Sequence, residues 1–254
     1  MTTNVLSDTG VLTGRSLRHI LRSPDTIITT VVTPIALLLL FVYVLGGAIH
    51  TGSSESYVNY MLPGILLITI ASGVAYTAYR LFLDLQGGIF ERFQSMPIAR
   101  SSVLWAHVFT SLSANLVSVA VVVGVALIMG FRTGASLGGW LAVAGILILL
   151  ILAMTWIAVI AGLSAKTVDG ASAFSYPLIF LPFISSTFVP TASMPAPVAW
   201  FAENQPVTSI VNTIRAIFAQ QPVGNDIWIA LAWLVGILIV AYVFANAIYR
   251  RKIR

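Results

Sequence analysis

Residue types that could bind a nucleotide are sparse in this chain. A phosphate-binding loop has the pattern Gly-x-x-x-x-Gly-Lys-Ser/Thr, in which the glycines let the backbone approach the phosphates and the lysine contacts them. Lys166 is followed by Thr167, but Ala165 and Ile160 occupy the two glycine positions. The one other lysine, Lys252, has no such surroundings. We therefore expect that no nucleotide is bound by a loop of this kind in this chain.

Metal-binding and catalytic side chains are equally scattered. His19, His50 and His107 fall in different segments, whereas a metal site needs several ligands together. Glu91 and Asp169 have no paired acid or base within sequence reach. The absence of cysteine excludes disulfides and thiol chemistry. We predict no catalytic, cofactor-binding or metal-binding residue here.

Polar side chains do recur at three- and four-residue steps inside apolar runs, so each set forms one stripe on a helix. In a membrane such a stripe either lines a polar path or makes hydrogen bonds between helices. We favour a path for Thr69, Ser72, Tyr76, Tyr79 and Arg80, and for a later run with Ser172, Ser175, Tyr176, Ser185, Ser186 and Thr187. We favour helix-to-helix hydrogen bonds for His107, Ser111, Asn115 and Ser118.

The segment at residues 86–97 predicts a short amphipathic helix with unusually large apolar side chains for a connecting loop. Ile89, Phe90 and Phe93 share one face, Glu91 and Arg92 lie beside it, and a proline ends the segment. Two interpretations stay open. The helix rests on the lipid surface, or it enters a groove on a cytoplasmic partner.

Six long apolar runs must position all these residues. Each is near or above the roughly 20 residues that a helix needs to cross the hydrocarbon core. They lie at about 26–48, 59–83, 101–130, 138–164, 171–190 and 226–249. With 58% apolar and 8% charged residues, the composition also predicts an all-α integral membrane protein with six transmembrane helices.

Basic residues predict the orientation of these helices. Of the thirteen lysines and arginines, ten fall at one end of the runs, which the positive-inside rule makes cytoplasmic. Arg132 and Arg215 fall at the other end, and Arg80 lies inside a run. Both termini are therefore predicted to be cytoplasmic in a multi-pass protein of the cell membrane.

Two further segments flank the runs. Residues 10–23 place basic side chains opposite apolar ones and predict an amphipathic helix in the membrane interface. Residues 191–220, on the predicted outer side, contain a second amphipathic stretch that starts at Pro206. This stretch is too short to span the bilayer, so it predicts an interfacial or re-entrant helix before the last span.

Several stretches, in order along the whole chain, resemble the type-2 permeases of ABC transporters, and most of all the daunorubicin-resistance kind of exporter permease. They are Leu21-Arg22-Ser23-Pro24, Leu62-Pro63-Gly64-Ile65, residues 91–100, Phe188-Val189-Pro190 with Met194-Pro195, and Gln205-Pro206-Val207-Thr208 followed by Arg215.

This resemblance implies one transmembrane domain over residues 1–254. It implies an amphipathic connecting helix at 10–23, a cytoplasmic coupling helix at 86–97 and a re-entrant region at 191–220. It also implies two nucleotide-binding ATPase subunits, which hold ATP and Mg, and a second permease, identical or homologous. The coupling residues would be Ile89, Phe90, Glu91, Arg92 and Phe93, and the path candidates Thr69, Ser72, Tyr76, Ser175 and Tyr176.

We therefore expect the permease subunit of an ATP-driven exporter of amphipathic, drug-like or lipid-like molecules. A polysaccharide or glycolipid exporter of the same superfamily is an alternative, because Tyr76, Tyr79 and Tyr176 could stack on sugars. An ion-coupled carrier would need a carboxylate near the middle of the membrane. Asp84 and Asp169 lie near the ends of the runs instead.

Overall fold

The computed structural model describes residues 32–46, 56–87 and 102–252, together with Gly14. These residues are 84% helical and contain no β-strand, as the all-α prediction requires. Apart from Gly14, the predicted interfacial helix at 10–23 lies outside the described residues. So do residues 88–97, which carry all five coupling candidates.

The chain forms helices that we number in order. They are α1 (Thr33–Leu39, continued by a π-helical stretch Leu40–Leu45), α2 (Tyr57–Gln86), α3 (Ser102–Ile128), α4 (Leu137–Ser164), α5 (Val168–Ala173), α6 (Ser175–Phe180), α7 (Ala196–Asn204), α8 (Pro206–Phe218) and α9 (Asp226–Lys252). Short 3₁₀ turns follow α6 at Leu181–Ile184 and precede α7 at Thr191–Ser193.

Four of these helices, α2, α3, α4 and α9, are long and apolar enough to cross a membrane. The other two predicted spans differ. The first, 26–48, is described only in part and contains the apolar helix Thr33–Val44. The fifth, 171–190, falls on a broken helix, Val168–Ile184, that would measure about 25 Å. The protein is thus a helical membrane bundle with four long helices in the described residues.

The centre of the bundle is α2, which packs against α1, α3, α4, α5 and α6. Every residue from Tyr60 to Ala71 is buried. Two glycines allow close approach to neighbours: a Cβ on Gly64 would collide with the Thr187 side chain, and one on Gly73 with Asn115. By contrast α9, which packs on α4, leaves most of its apolar side chains exposed, as a lipid-facing helix does.

The short helix α8 begins at Pro206, as its sequence predicts, because proline at the first helical position lacks only an N–H that would have no helical partner. Its apolar residues Val207, Ile210, Val211 and Ile214 are buried against α2 and α9. Thr208, Ser209 and Thr213 are buried as well. The polar side of α8 therefore faces protein over part of its length rather than water.

Candidate functional site

The stripe on α2 changes character along the helix. Thr69 is fully buried, and its hydroxyl donates to the carbonyl of Ile65, 2.7 Å away on the same helix. Beyond Ala71 one face is half-exposed, and it carries Ser72, Tyr76 and Tyr79. The rings of Tyr76 and Tyr79 lie 6.0 Å apart. The part of α2 towards α3 therefore has a polar, partly open face, whereas the first part is enclosed.

The two candidates on α6 point in different directions. Ser175 is buried, and its hydroxyl donates to the carbonyl of Ser172 at 2.7 Å. The next residue, Tyr176, is 61% exposed. The structure thus separates the five path candidates into three with accessible side chains and two enclosed ones, Thr69 and Ser175. Their role in a path stays a prediction.

Two of the four residues in the stripe on α3, Ser111 and His107, contact other helices as favoured above, whereas Asn115 and Ser118 donate to carbonyls of α3 itself. The hydroxyls of Ser111 and Thr155 lie 2.9 Å apart and join α3 to α4. Asn115 packs against Gly73 of α2, and its amide donates to the Ser111 carbonyl at 2.9 Å. Nearer the α2–α3 connection, Nε2 of His107 lies 3.2 Å from a carboxylate oxygen of Asp84. These contacts hold α2, α3 and α4 together within an apolar surrounding.

A second group of polar residues lies at the opposite end of the bundle, which we call the α3–α4 end after the connection found there. After the 3₁₀ turn the backbone becomes extended at Ser185, so the helix stops. Residues 185–188 are nevertheless all buried. A buried segment outside a helix must find other partners for its carbonyls, because each unpaired one is costly.

Arg215 of α8 supplies several of these partners. Its Nε and Nη2 donate to the carbonyl of Tyr60, at 3.1 and 3.0 Å, and Nη2 also donates to the carbonyl of Ser186 at 2.8 Å. Nη1 donates to Oδ1 of Asn212 at 3.2 Å. The guanidinium carbon lies 3.8 Å from the centre of the Tyr60 ring, a cation–π geometry. We call Tyr60, residues 185–188, Asn212 and Arg215 the Arg215 cluster.

Neighbouring side chains complete the enclosure. Oγ of Ser186 donates to Oδ1 of Asn212 at 2.7 Å, and the Tyr57 hydroxyl donates to the Phe188 carbonyl at 3.4 Å. Nε2 of Gln205 donates to the Ile184 carbonyl. The sequence indicated a helix with Arg215 near its end, but no spacing rule connects this residue to Tyr60, 155 residues away. The available signal was that Arg215 is one of two arginines on the predicted outer side.

Metal-ligating side chains do not gather in the described residues: no group of three or more His, Cys, Asp or Glu could hold an ion there. An enclosed cluster fixes one end of α2, and a half-open tyrosine face lies along its other part.

Comparison with known proteins identifies the family to which this architecture belongs. The family model described as ABC-2 type transporter matches residues 7–219. The Daunorubicin resistance ABC transporter permease protein DrrB1 of Streptomyces coeruleorubidus is 28% identical over 236 residues, or 90% of this chain and 81% of that protein. The Probable doxorubicin resistance ABC transporter permease protein DrrC of Mycobacterium tuberculosis is 26% identical over 249 residues, or 97% and 89%.

Proposed function

The chain belongs to the ABC-2 type transporter family, and on that premise we propose that it is the permease subunit of an ATP-driven exporter of amphipathic, drug-like or lipid-like molecules. It is a multi-pass membrane protein whose relatives are drug-resistance permeases. The observation that carries the proposal is the match of nearly the whole chain to proteins named as permeases for daunorubicin and doxorubicin resistance.

ATP hydrolysis would belong to partner chains. ABC permeases work with ATPase subunits and as permease dimers in general. Here we propose two nucleotide-binding subunits, which hold ATP and Mg, and a second permease, identical or homologous. This sequence has no phosphate-binding loop, which supports ATP binding and hydrolysis by separate chains.

The coupling contact would lie in residues 88–97, outside the described residues. Phe90 and Phe93, with Ile89, would fill an apolar groove on the ATPase, while Glu91 and Arg92 set the register through charge. A polar loop joining two spans has no need of these large apolar side chains. Movement of the ATPase subunits would then reach the bundle through the ends of α2 and α3, which this segment joins.

Transport would use the half-open face of α2. Ser72, Tyr76 and Tyr176 are the accessible candidates, and tyrosine rings suit amphipathic molecules because each combines an apolar face with a hydroxyl. The charge bias supports an orientation with the α3–α4 end outside the cell and both termini inside.

The coupling proposal is tested with a Phe90→Ala, Phe93→Ala double variant, assembled with the partner ATPase. A buried aromatic anchor contributes on the order of 2–4 kcal/mol to an interface, so ATPase recruitment should fall by more than tenfold. Pull-down of the ATPase and export in cells are the measurements, and Phe244→Ala on the exposed face of α9 is the matched control. Full recruitment and full export by the double variant would refute the coupling assignment. Robust ATP hydrolysis by the isolated permease would refute the proposal that separate chains hydrolyse ATP.

The orientation is tested with single cysteines in this cysteine-free chain. Cysteines at Ser54 and Ser193 should react with an impermeant maleimide applied outside intact cells. Cysteines at Ser7 and Ser95 should react only after the membrane is opened. Any exchange between the two pairs contradicts the charge argument.

A further inference from the structure

The two basic residues on the predicted outer side, Arg132 and Arg215, converge on one pocket. They are 83 positions apart, in the α3–α4 connection and in α8, yet both line a cavity of about 160 Å³. Asn59, Gly134, Phe218 and Ala219 are its other described lining residues. The volume is well above that needed for one water molecule. Arginines are scarce on the outer side of membrane proteins, so their convergence calls for a physical reason.

The pocket is held in shape by bonds between its walls. Asn59 at the start of α2 donates through Nδ2 to the carbonyl of Arg132 at 2.8 Å, and its Oδ1 accepts from the Arg132 N–H at 3.2 Å. The Thr133 hydroxyl donates to the carbonyl of Phe218 at 2.7 Å. Nε2 of Gln220 donates to the carbonyl of Gly134. Three elements, α2, the α3–α4 connection and α8, therefore meet at this site without any contribution from lipid.

The described residues accept hydrogen bonds from only one nitrogen of the Arg132 guanidinium. Its Nη1 donates to the carbonyls of Leu127 and Phe131, at 2.9 and 2.8 Å, where α3 ends. The described residues offer no acceptor to its Nε and Nη2, and the side chain is exposed. These two N–H groups form one edge of the guanidinium, and that edge matches two oxygens of a phosphate. Arg215, fixed within the Arg215 cluster, adds a second positive charge to the wall.

We infer that this pocket binds a phosphate group, with the Nε/Nη2 edge of Arg132 as the direct ligand and Arg215 as the fixed positive wall. None of the described residues that line the pocket carries a carboxylate. The pocket lies where α2 and α4 begin and α3 ends, at one end of the long apolar helices. The headgroup of a phospholipid and free inorganic phosphate are the two sources of this chemistry.

The test compares the purified full-length chain with Arg132→Gln and Arg132→Lys in detergent. Native mass spectrometry measures binding of phosphatidylglycerol and of diacylglycerol with the same acyl chains, which lacks the phosphate. A thermal-shift series with inorganic phosphate, against chloride at equal ionic strength, measures the free ion. Arg251→Gln, an exposed arginine at the end of α9, is the control for simple loss of charge.

We expect the wild-type chain to prefer phosphatidylglycerol over diacylglycerol, and Arg132→Gln to weaken that binding by about tenfold, the effect of one lost bidentate contact. Arg132→Lys keeps the charge but loses the forked pair of N–H groups, so its affinity should fall between those of the wild-type chain and Arg132→Gln. A phosphate-induced thermal shift that Arg132→Gln abolishes, without any lipid preference, would assign the site to free phosphate instead. Equal behaviour of the wild-type chain and both variants with every probe overturns the inference, as does an equal loss in Arg251→Gln.

Discussion

Replacement of Arg215 by methionine tests whether the Arg215 cluster stabilises the non-helical segment. Methionine keeps much of the side-chain volume but removes every N–H donor. The carbonyls of Tyr60 and Ser186 then lose their charged donor inside the protein. Asn212 keeps the Ser186 hydroxyl as a donor at 2.7 Å. Counting one lost bond to a charged group for each of these two carbonyls, at about 1.5–3 kcal/mol each, predicts a destabilisation of roughly 3–6 kcal/mol.

The measurement is thermal unfolding of the purified protein in detergent, followed by tryptophan fluorescence. A loss of this size should lower Tm by roughly 6–24 °C. Arg251→Met is the matched control, because it removes the same group from an exposed position at the end of α9 and should cost about 1 kcal/mol or less. The fall in Tm of Arg215→Lys should lie between those of Arg215→Met and the control, since lysine keeps the charge but cannot make the forked contacts.

Hydrogen exchange adds a local readout for the same variant. The amide of Thr187 donates to Oγ of Ser185 at 3.1 Å, inside the segment that Arg215 holds. In Arg215→Met the peptide that covers residues 181–190 should exchange faster, while α4 should be unchanged. Unchanged protection of this peptide, or a fall in Tm no larger than that of Arg251→Met, would refute the role given to Arg215.

Three further predictions concern helix packing and the α2 face. Gly64→Ala should destabilise the protein by about 1–3 kcal/mol, because the new Cβ overlaps Thr187, whereas Gly145→Ala, which has open space on α4, should be neutral or stabilising in the same melts. Ser111→Ala should lower stability by about 1 kcal/mol without changing which compounds are exported, because its hydroxyl serves α4. Tyr76→Ala should change the export profile in drug-accumulation assays with little loss of stability, and the reverse result would assign Tyr76 to packing.

Helix positions followed from the sequence where the deciding interactions are local. The predicted spans 59–83, 138–164 and 226–249 agree closely with α2, α4 and α9. Length and apolar content alone decide whether a long run forms a helix in a membrane. The start of α8 at Pro206 was equally local, because proline at the first helical position has a preference of its own.

The fifth run shows where such reasoning fails. Residues 171–190 are apolar enough for a span, but the structure contains a break at Phe174 and a 3₁₀ turn that opens at Leu181-Pro182. Pro177 and Pro182 were visible in the sequence. Proline is nevertheless tolerated inside membrane helices when neighbours satisfy the freed backbone groups, and here Pro63 lies inside an unbroken α2. The outcome therefore depends on distant partners, which composition does not reveal.

The same limit applies to the candidate site. The prediction of contacts between helices for the α3 stripe is confirmed for Ser111 and His107, but Thr155, the partner of Ser111, lies 44 residues away in an almost wholly apolar run. The pattern on α2 predicts one uniform stripe, whereas Thr69 is enclosed and Tyr76 is partly exposed. A helical pattern identifies residues that share a face. It does not indicate which part of that face a neighbouring helix covers.

The break in the fifth run and the polar residues on α2 and α8 are one feature of this fold. Carbonyls released where the helix stops would each cost several kcal/mol if left unpaired at membrane depth. Three side chains, from the start of α2, from α8 and from the residue just before α8, donate hydrogen bonds to three of these carbonyls. Gln205 donates to Ile184, Arg215 to Ser186, and Tyr57 to Phe188. Arginine donates to several carbonyls at once through a rigid planar fork of N–H groups, which lysine lacks. The segment can therefore stay non-helical and buried only while α8 lies against the start of α2, so these three elements must form as one unit.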